Sequence, residues 1–225
     1  DFMIYGELGR YPLDISIKLR TGKPDKLPFI LYNLATAKYG TNILWLKQVK
    51  SILDMCGLSY VWDNICFVNK TWLHVTIKQN LIDQFKQKWL ASLQESPKAL
   101  NYRLFKDTLE FEKYLNILDD RQISLFFKFR TLNMKFPIET GRWQNIEREN
   151  RKCVLCNSDA IGDEYHYIFN CSAFDNCRKQ CIAFYNRNRT NTLKFYDLMN
   201  SPKCTELNEL CKLIKEINNK LNFSG

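Results

Sequence analysis

Residues 153–171 read CVLCNSDAIGDEYHYIFNC, and no other stretch limits the fold of this chain so sharply. Two residues separate Cys153 from Cys156, nine separate Cys156 from His166, and four separate His166 from Cys171. A two-residue gap lets one tight turn aim both thiolates at a common point, and the second pair then closes a tetrahedron of three sulfurs and one imidazole. Zn²⁺ takes such a shell, and four protein ligands leave no open position, so the ion would be structural. His166 is one of two histidines in the chain. Asn157 and Ser158 follow the first pair as turn formers, and Gly162-Asp163-Glu164 supplies a polar turn between the half-sites. Two alternatives stay open: an apolar cluster in a chain that holds nine cysteines, and Cys177 or Cys181 in place of Cys171.

The rest of the chain reads as a helical scaffold for this knuckle. Its 225 residues can bury a sizeable core, and 45% hydrophobic content places it among globular proteins. Most of the cysteines sit singly on apolar helix faces, which argues against a disulfide framework and for a reducing compartment, nucleus or cytoplasm. No apolar run approaches the length of a membrane span, and no signal peptide is visible. The chain opens at Asp1 directly into an apolar stretch, as expected of an excerpt from a longer polypeptide.

In chain order, Pro12 opens a short helix holding Leu13, Ile17 and Arg20, and Gly22, Pro24 and Asp25 mark a loop. A helix follows from Pro28 to Gly40, then a second with Trp45, Val49, Ile52, Leu53 and Cys56 on one stripe and Gly57 as its stop. Residues 58–68 lack a clean period and read as an extended connection. From Asn69 to Pro97, Trp72, Leu81, Phe85, Trp89 and Leu93 recur at helical intervals. One helix is expected from about Ala99 to Leu118, burying Tyr102, Phe105, Leu109 and Tyr114, and another with Ile123, Phe126, Phe127 and Arg130 running to Pro137. Asp119-Asp120 imitates the paired aspartates of a polymerase, but Asp120 is placed to cap the helix starting at Arg121. After Cys171 a helix capped by Ser172 carries Phe174, Cys177, Cys181 and Phe184 on one face, residues 186–192 form a polar linker, and a last helix spans roughly Thr205 to Leu221. The expected fold is thus mainly α, a helical body with a small CCHC zinc knuckle of short hairpin plus helix. Its divisions fall at 1–137, 138–186 and 187–225.

The formal charge of +9 suits a polyanionic partner. Between residues 128 and 152, Lys128, Arg130, Lys135, Arg142, Arg148, Arg151 and Lys152 face three acids, Glu139, Glu147 and Glu149. Trp143 stands beside Arg142, and cations interleaved with an exposable aromatic suit a single strand, whose phosphates take the charge while bases stack on the ring. The alternative is that Trp143 plugs the core against the knuckle. Arg178, beyond the cysteines, extends the basic surface.

Several of these pieces together resemble a known family. GELGRYPL near the start, FRTLNMKFPIETGRW ahead of the cysteines, and RKCVLC followed by IGDEYHYIFNC are similar to the C-terminal, post-polymerase part of reverse transcriptases from non-LTR retrotransposons of the marine-invertebrate type. The resemblance covers about Tyr5 to Arg178 and implies a helical region followed by a zinc knuckle that grips element RNA or target DNA during target-primed reverse transcription. It implies Cys153, Cys156, His166 and Cys171 as ligands. The chain departs from the pattern in lacking the polymerase fingers and palm and any recognisable nuclease, and in carrying Thr21–Asp25 where an aromatic-rich run is usual. Nine residues before His166 exceed the retroviral gap of four, so retroviral base recognition is not implied.

The expectation is therefore a non-catalytic, nucleic-acid-binding accessory region with a structural Zn²⁺, whose partners are RNA or DNA and the rest of the parent polymerase. Arg142, Arg148, Arg151, Lys152 and Arg178 would neutralise phosphates, and Tyr167 and Trp143 would stack on bases. A protein-docking module held by zinc is the alternative.

Overall fold

The computed structural model describes residues 27–63 and 69–223. The short helix expected after Pro12 and the loop at Gly22–Asp25 lie outside the described residues, as do residues 64–68 of the expected extended connection. The fold is mainly α, and among the described residues the only extended pairing is one isolated antiparallel bridge between Lys152 and Ile161. No described helix is long and apolar enough to cross a membrane. The chain divides into two compact units between Trp89 and Leu90.

In the first unit, α1 (Leu27–Tyr39) and α2 (Leu44–Met55) follow the expected bounds, and Gly57 adopts φ +69°, the left-handed stop after α2. Tyr60–Asp63 forms a short helix, α3, where an extended segment was expected. The long α4 (Lys70–Glu95) starts in this unit. Val49, Leu53, Cys56, Leu58, Val61, Leu73 and Ile77 make its core, with Ile52, Trp62 and Leu81 packed at the edge. Leu73 and Ile77 thus take the face on which the sequence placed Trp72, which is 45% exposed. Asn80 and Gln84 donate side-chain hydrogen bonds to the Cys56 and Met55 carbonyls at 3.1 and 2.6 Å, satisfying acceptors that the end of α2 leaves free.

The second unit departs from the expected elements first at its start. Residues 99–118 are not one helix: a 3₁₀ turn, the four-residue α5 (Tyr102–Phe105), open chain, and a second 3₁₀ turn at Lys113–Asn116 take its place. Tyr102, Phe105, Leu109 and Tyr114 are all buried as expected. The helical period fails here because buried charge holds the chain. Arg130, on α6 (Asp120–Arg130), pairs with Glu112 at 3.0 Å, donates to the Met199 carbonyl at 2.7 Å and lies against the rings of Phe105, Tyr114 and Phe126. Lys106 joins the same Glu112 carboxylate and donates to the Glu110 carbonyl.

Asp119, one residue earlier than expected, caps α6 in a reciprocal box with Gln122, which accounts for the Asp119-Asp120 pair without any metal chemistry. The helix stops at Arg130, and Pro137 opens a separate α7 (Pro137–Trp143). Within the knuckle lies α8 (Glu164–Phe169), and after it come α9 (Asp175–Cys181), α10 (Phe184–Arg187), α11 (Thr192–Met199) and α12 (Cys204–Phe223). The helix expected to run through Phe184 breaks after Cys181, and Phe184 is 67% exposed. The expected linker ends in α11, whose cap Asn191 accepts from the Lys194 amide and whose Phe195, Leu198 and Met199 are buried. The last helix buries Leu207, Leu210, Cys211, Ile214, Ile217 and Leu221 and packs on α6, α8 and α9.

Candidate metal centre

The centre begins with a hairpin. The Cys153 amide donates to the Ala160 carbonyl at 2.8 Å and the Gly162 amide to the Arg151 carbonyl at 2.9 Å, so Cys153 and Cys156 lie in the loop this ladder closes. Asp163 then caps α8 by accepting the His166 amide at 2.9 Å, which fixes the first turn and with it the ring. The Cys171 amide donates to the His166 carbonyl at 2.8 Å and returns the last sulfur to the same point.

One donor atom from each of Cys153, Cys156, His166 and Cys171 lies within 4.8 Å of all the others, a group that can hold a metal ion. Cys153 Sγ and Cys171 Sγ are 3.8 Å apart, and His166 Nε2 is 3.3 Å from Cys156 Sγ, so Nε2 is the ring atom that faces the sulfurs. The four residues singled out by spacing therefore come together, with Cys171 as the fourth. Cys177 and Cys181 face each other at 3.8 Å on α9 and are not part of this group.

The electrostatics favour a cation. A hydrogen bond from Cys171 outweighs burial and, with one from His166, brings the Cys153 thiol down to about 3. Burial would raise Cys156, but hydrogen bonds from the Ser158 hydroxyl and backbone lower it. Burial likewise opposes protonation of His166, yet hydrogen bonds to Cys153 and Cys156 raise its pKa above the ordinary value. Cys171, donating to Cys153 and buried, is pushed up. Both thiols of the first pair are thus shifted toward thiolate, and thiolate is what a metal ion binds.

The motif FPIETGRW forms the wall of this centre. Ile138 donates its amide to the Gly162 carbonyl at 3.2 Å, and a Cβ on Gly162 would come within 2.8 Å of the Pro137 ring. A Cβ on Gly141 would stand 2.7 Å from the Arg151 stem, which crosses α7 there to donate to the Ile146 and Ile138 carbonyls at 2.8 and 3.1 Å. Glu139, 2% exposed, accepts from Arg142 at 2.6 and 3.0 Å and from the Trp143 indole at 3.1 Å, with Lys98 at 3.6 Å. The sequence marks Gly162 as a turn residue, Pro137 as a helix end and Glu139 as an acid, but not as parts of this wall, although Glu139 and Arg142 stand at the i,i+3 spacing of a helical ion pair.

Two of the expected nucleic-acid contacts are corrected. Tyr167 is fully buried, in contact with the rings of Phe136, His166 and Phe174, so no base can reach it. Arg178, 6% exposed, donates to the Ile168 and Cys171 carbonyls at 2.7 and 2.6 Å and pairs with Asp175. It braces the chain at the last ligand and faces no solvent path for phosphate. Trp143 is 63% exposed and does not plug the core. Arg142 is exposed beside it, Arg148 lies 3.8 Å from Asp163, and Lys152 folds onto Asp159.

In three comparisons with known proteins, no family model, curated protein or solved structure matches the chain.

Proposed function

We propose that this chain is a zinc-ordered, nucleic-acid-binding accessory region of a retrotransposon reverse transcriptase, in which the metal builds the surface and catalyses nothing. The observation that carries this reading is the closed donor set of Cys153, Cys156, His166 and Cys171, wedged through Gly162 against the helix that displays Trp143 and Arg142. Zn–S bonds of about 2.3 Å in a tetrahedron set sulfurs roughly 3.8 Å apart, the separation found between Cys153 and Cys171, and a three-thiolate, one-imidazole set suits Zn²⁺ over harder ions. Single-stranded element RNA or target DNA is the polyanion proposed, with the parent polymerase as neighbour and a reducing compartment as setting.

A second reading has one observation behind it. Arg142, Arg148, Lys152 and Arg178 each already have a carboxylate partner within the chain, as expected of a module whose cations hold its own fold together for docking.

Metal analysis of the purified, reduced chain together with anisotropy of labelled single-stranded RNA tests both. About one zinc per chain and salt-sensitive RNA binding, lost on chelation, supports the first reading. Zinc without RNA binding leaves the docking module.

A further inference from the structure

The cations of the 142–152 segment are largely spent on internal partners, which moves attention to those that are not. A groove of about 490 Å³ opens between α6 and the C-terminal half of α12, closed at one end by the turn before α7 and by Trp143. Arg121, Ser124, Leu125 and Lys128 line it from α6 at the i, i+3, i+4, i+7 spacing of one helical face. Arg121 and Lys128 are therefore two turns apart, about 10 Å along the axis. Lys135 adds a third cation, and Asn218 and Asn222, one turn apart on α12, present amides from the opposite wall. No carboxylate lines the groove. Among the described residues, Arg121, Lys128 and Lys135 are exposed and none has an ion pair.

We infer that this groove is the path of a single nucleic-acid strand, an inference that rests on the nucleic-acid reading above and gives it a location that the sequence did not. Three unneutralised cations in one groove take phosphates. Trp143, whose indole N–H is tied to the buried Glu139 carboxylate at 3.1 Å, presents a ring of fixed orientation on which a base stacks. The amides of Asn218 and Asn222 are both donors and acceptors and can meet base edges, which an unstacked strand exposes and a duplex hides. The walls are rigid: α6 and α12 are packed together and joined by a Gln122–Asn208 hydrogen bond of 2.8 Å. An acidic peptide would use the cations but would leave the ring and amides without work, so the strand is the better occupant.

The test uses the full, metal-loaded chain and a fluorescein-labelled oligouridine of about 12 nucleotides. Joint replacement Arg121→Ala, Lys128→Ala and Lys135→Ala is expected to weaken binding at least about tenfold and to make the slope of log affinity against log salt shallower by about two. Trp143→Ala is expected to cost about tenfold and Trp143→Phe much less, because any aromatic ring stacks. The control pair Arg148→Ala and Lys152→Ala should change affinity less than the groove triple. Circular dichroism and zinc content identify any variant that has lost its fold. Thiouridine photocrosslinking on the unaltered chain provides an independent readout, with products expected in residues 121–143. Crosslinks confined to residues 144–161, with the control pair more damaging than the triple, would remove the groove while leaving the proposed function in place. Absence of any oligouridine binding would remove both. Equal affinity for oligoglutamate would also overturn the inference, since charge alone would then explain the surface.

Discussion

Two segments of the C-terminal unit have little regular structure, and they are held by opposite means. Residues 106–118 are locked by Arg130, a buried guanidinium that pairs with Glu112, donates to Met199 and is surrounded by three aromatic rings. Residues 151–171 are locked by four side chains of their own that point to a common centre. The first lock gathers groups from four separate elements and depends on the rest of the unit to exist. The second takes all four donors from a single stretch of chain, seated on Pro137 through Gly162, and those donors can hold a metal ion. An internal charge hub makes a segment a part of the core, whereas a ligand cluster makes it a part that solution conditions can remove.

The sharpest way to break this contrast is to withdraw the metal. Chelation, or Cys171→Ser, should abolish the order of residues 151–171, since zinc contributes roughly 10–16 kcal/mol in finger peptides. Amide exchange should then rise sharply in the knuckle and stay low in α6 and α12. Equal exchange in both regions would show that the two locks are one.

Arg130→Ala is the converse experiment. It empties the site of a fully buried guanidinium, leaves half-buried Glu112 with Lys106 alone, and is expected to cost about 3–5 kcal/mol in global stability, measured by urea unfolding of the metal-loaded chain, with metal stoichiometry retained. Loss of zinc in a variant that remains folded would contradict the separation of the two locks.

Smaller effects sharpen the boundary of the metal lock. Gly162→Ala drives a methyl into Pro137 and should cost about 2 kcal/mol, visible as weaker zinc retention under chelator competition. Glu139→Gln should cost about 1 kcal/mol at neutral pH. Burial would raise the Glu139 carboxyl, but hydrogen bonds and charge from Arg142 and Lys98, with the Trp143 hydrogen bond, hold it below its ordinary value of 4.5. A depressed folded pKa gives stability that is full above 4.5 and lost as pH falls through the lowered value, so the penalty of Glu139→Gln should fade in acid.

What was legible in the sequence follows the same contrast. The ligand cluster is local, so spacing alone places all four donors. Helices with a clean stripe and a marked end are local too, as α2 with Gly57 and α12 with its seven buried apolar residues show. The Arg130 hub joins residues some 18 to 70 positions apart, including Glu112 and Met199, and no window reveals it, so the burial pattern of residues 99–118 alone suggests a helix. Exposure was misjudged for the same reason. Arg178 and Tyr167 look like surface groups by type, but the fold folds the first onto the carbonyls of the knuckle and packs the second among rings. Asn191 escaped notice as a cap within a polar stretch, and α11 with it.

The seat of Gly162 on Pro137 has a practical consequence for anyone who would borrow the knuckle. A peptide cut at residues 153–171 would carry every ligand yet arrive without the wall it leans on. Any transferable piece has to start no later than Phe136, include the Glu139–Arg142–Trp143 latch, and run past Arg178. Grafted in that form, it brings its own indole to the new surface.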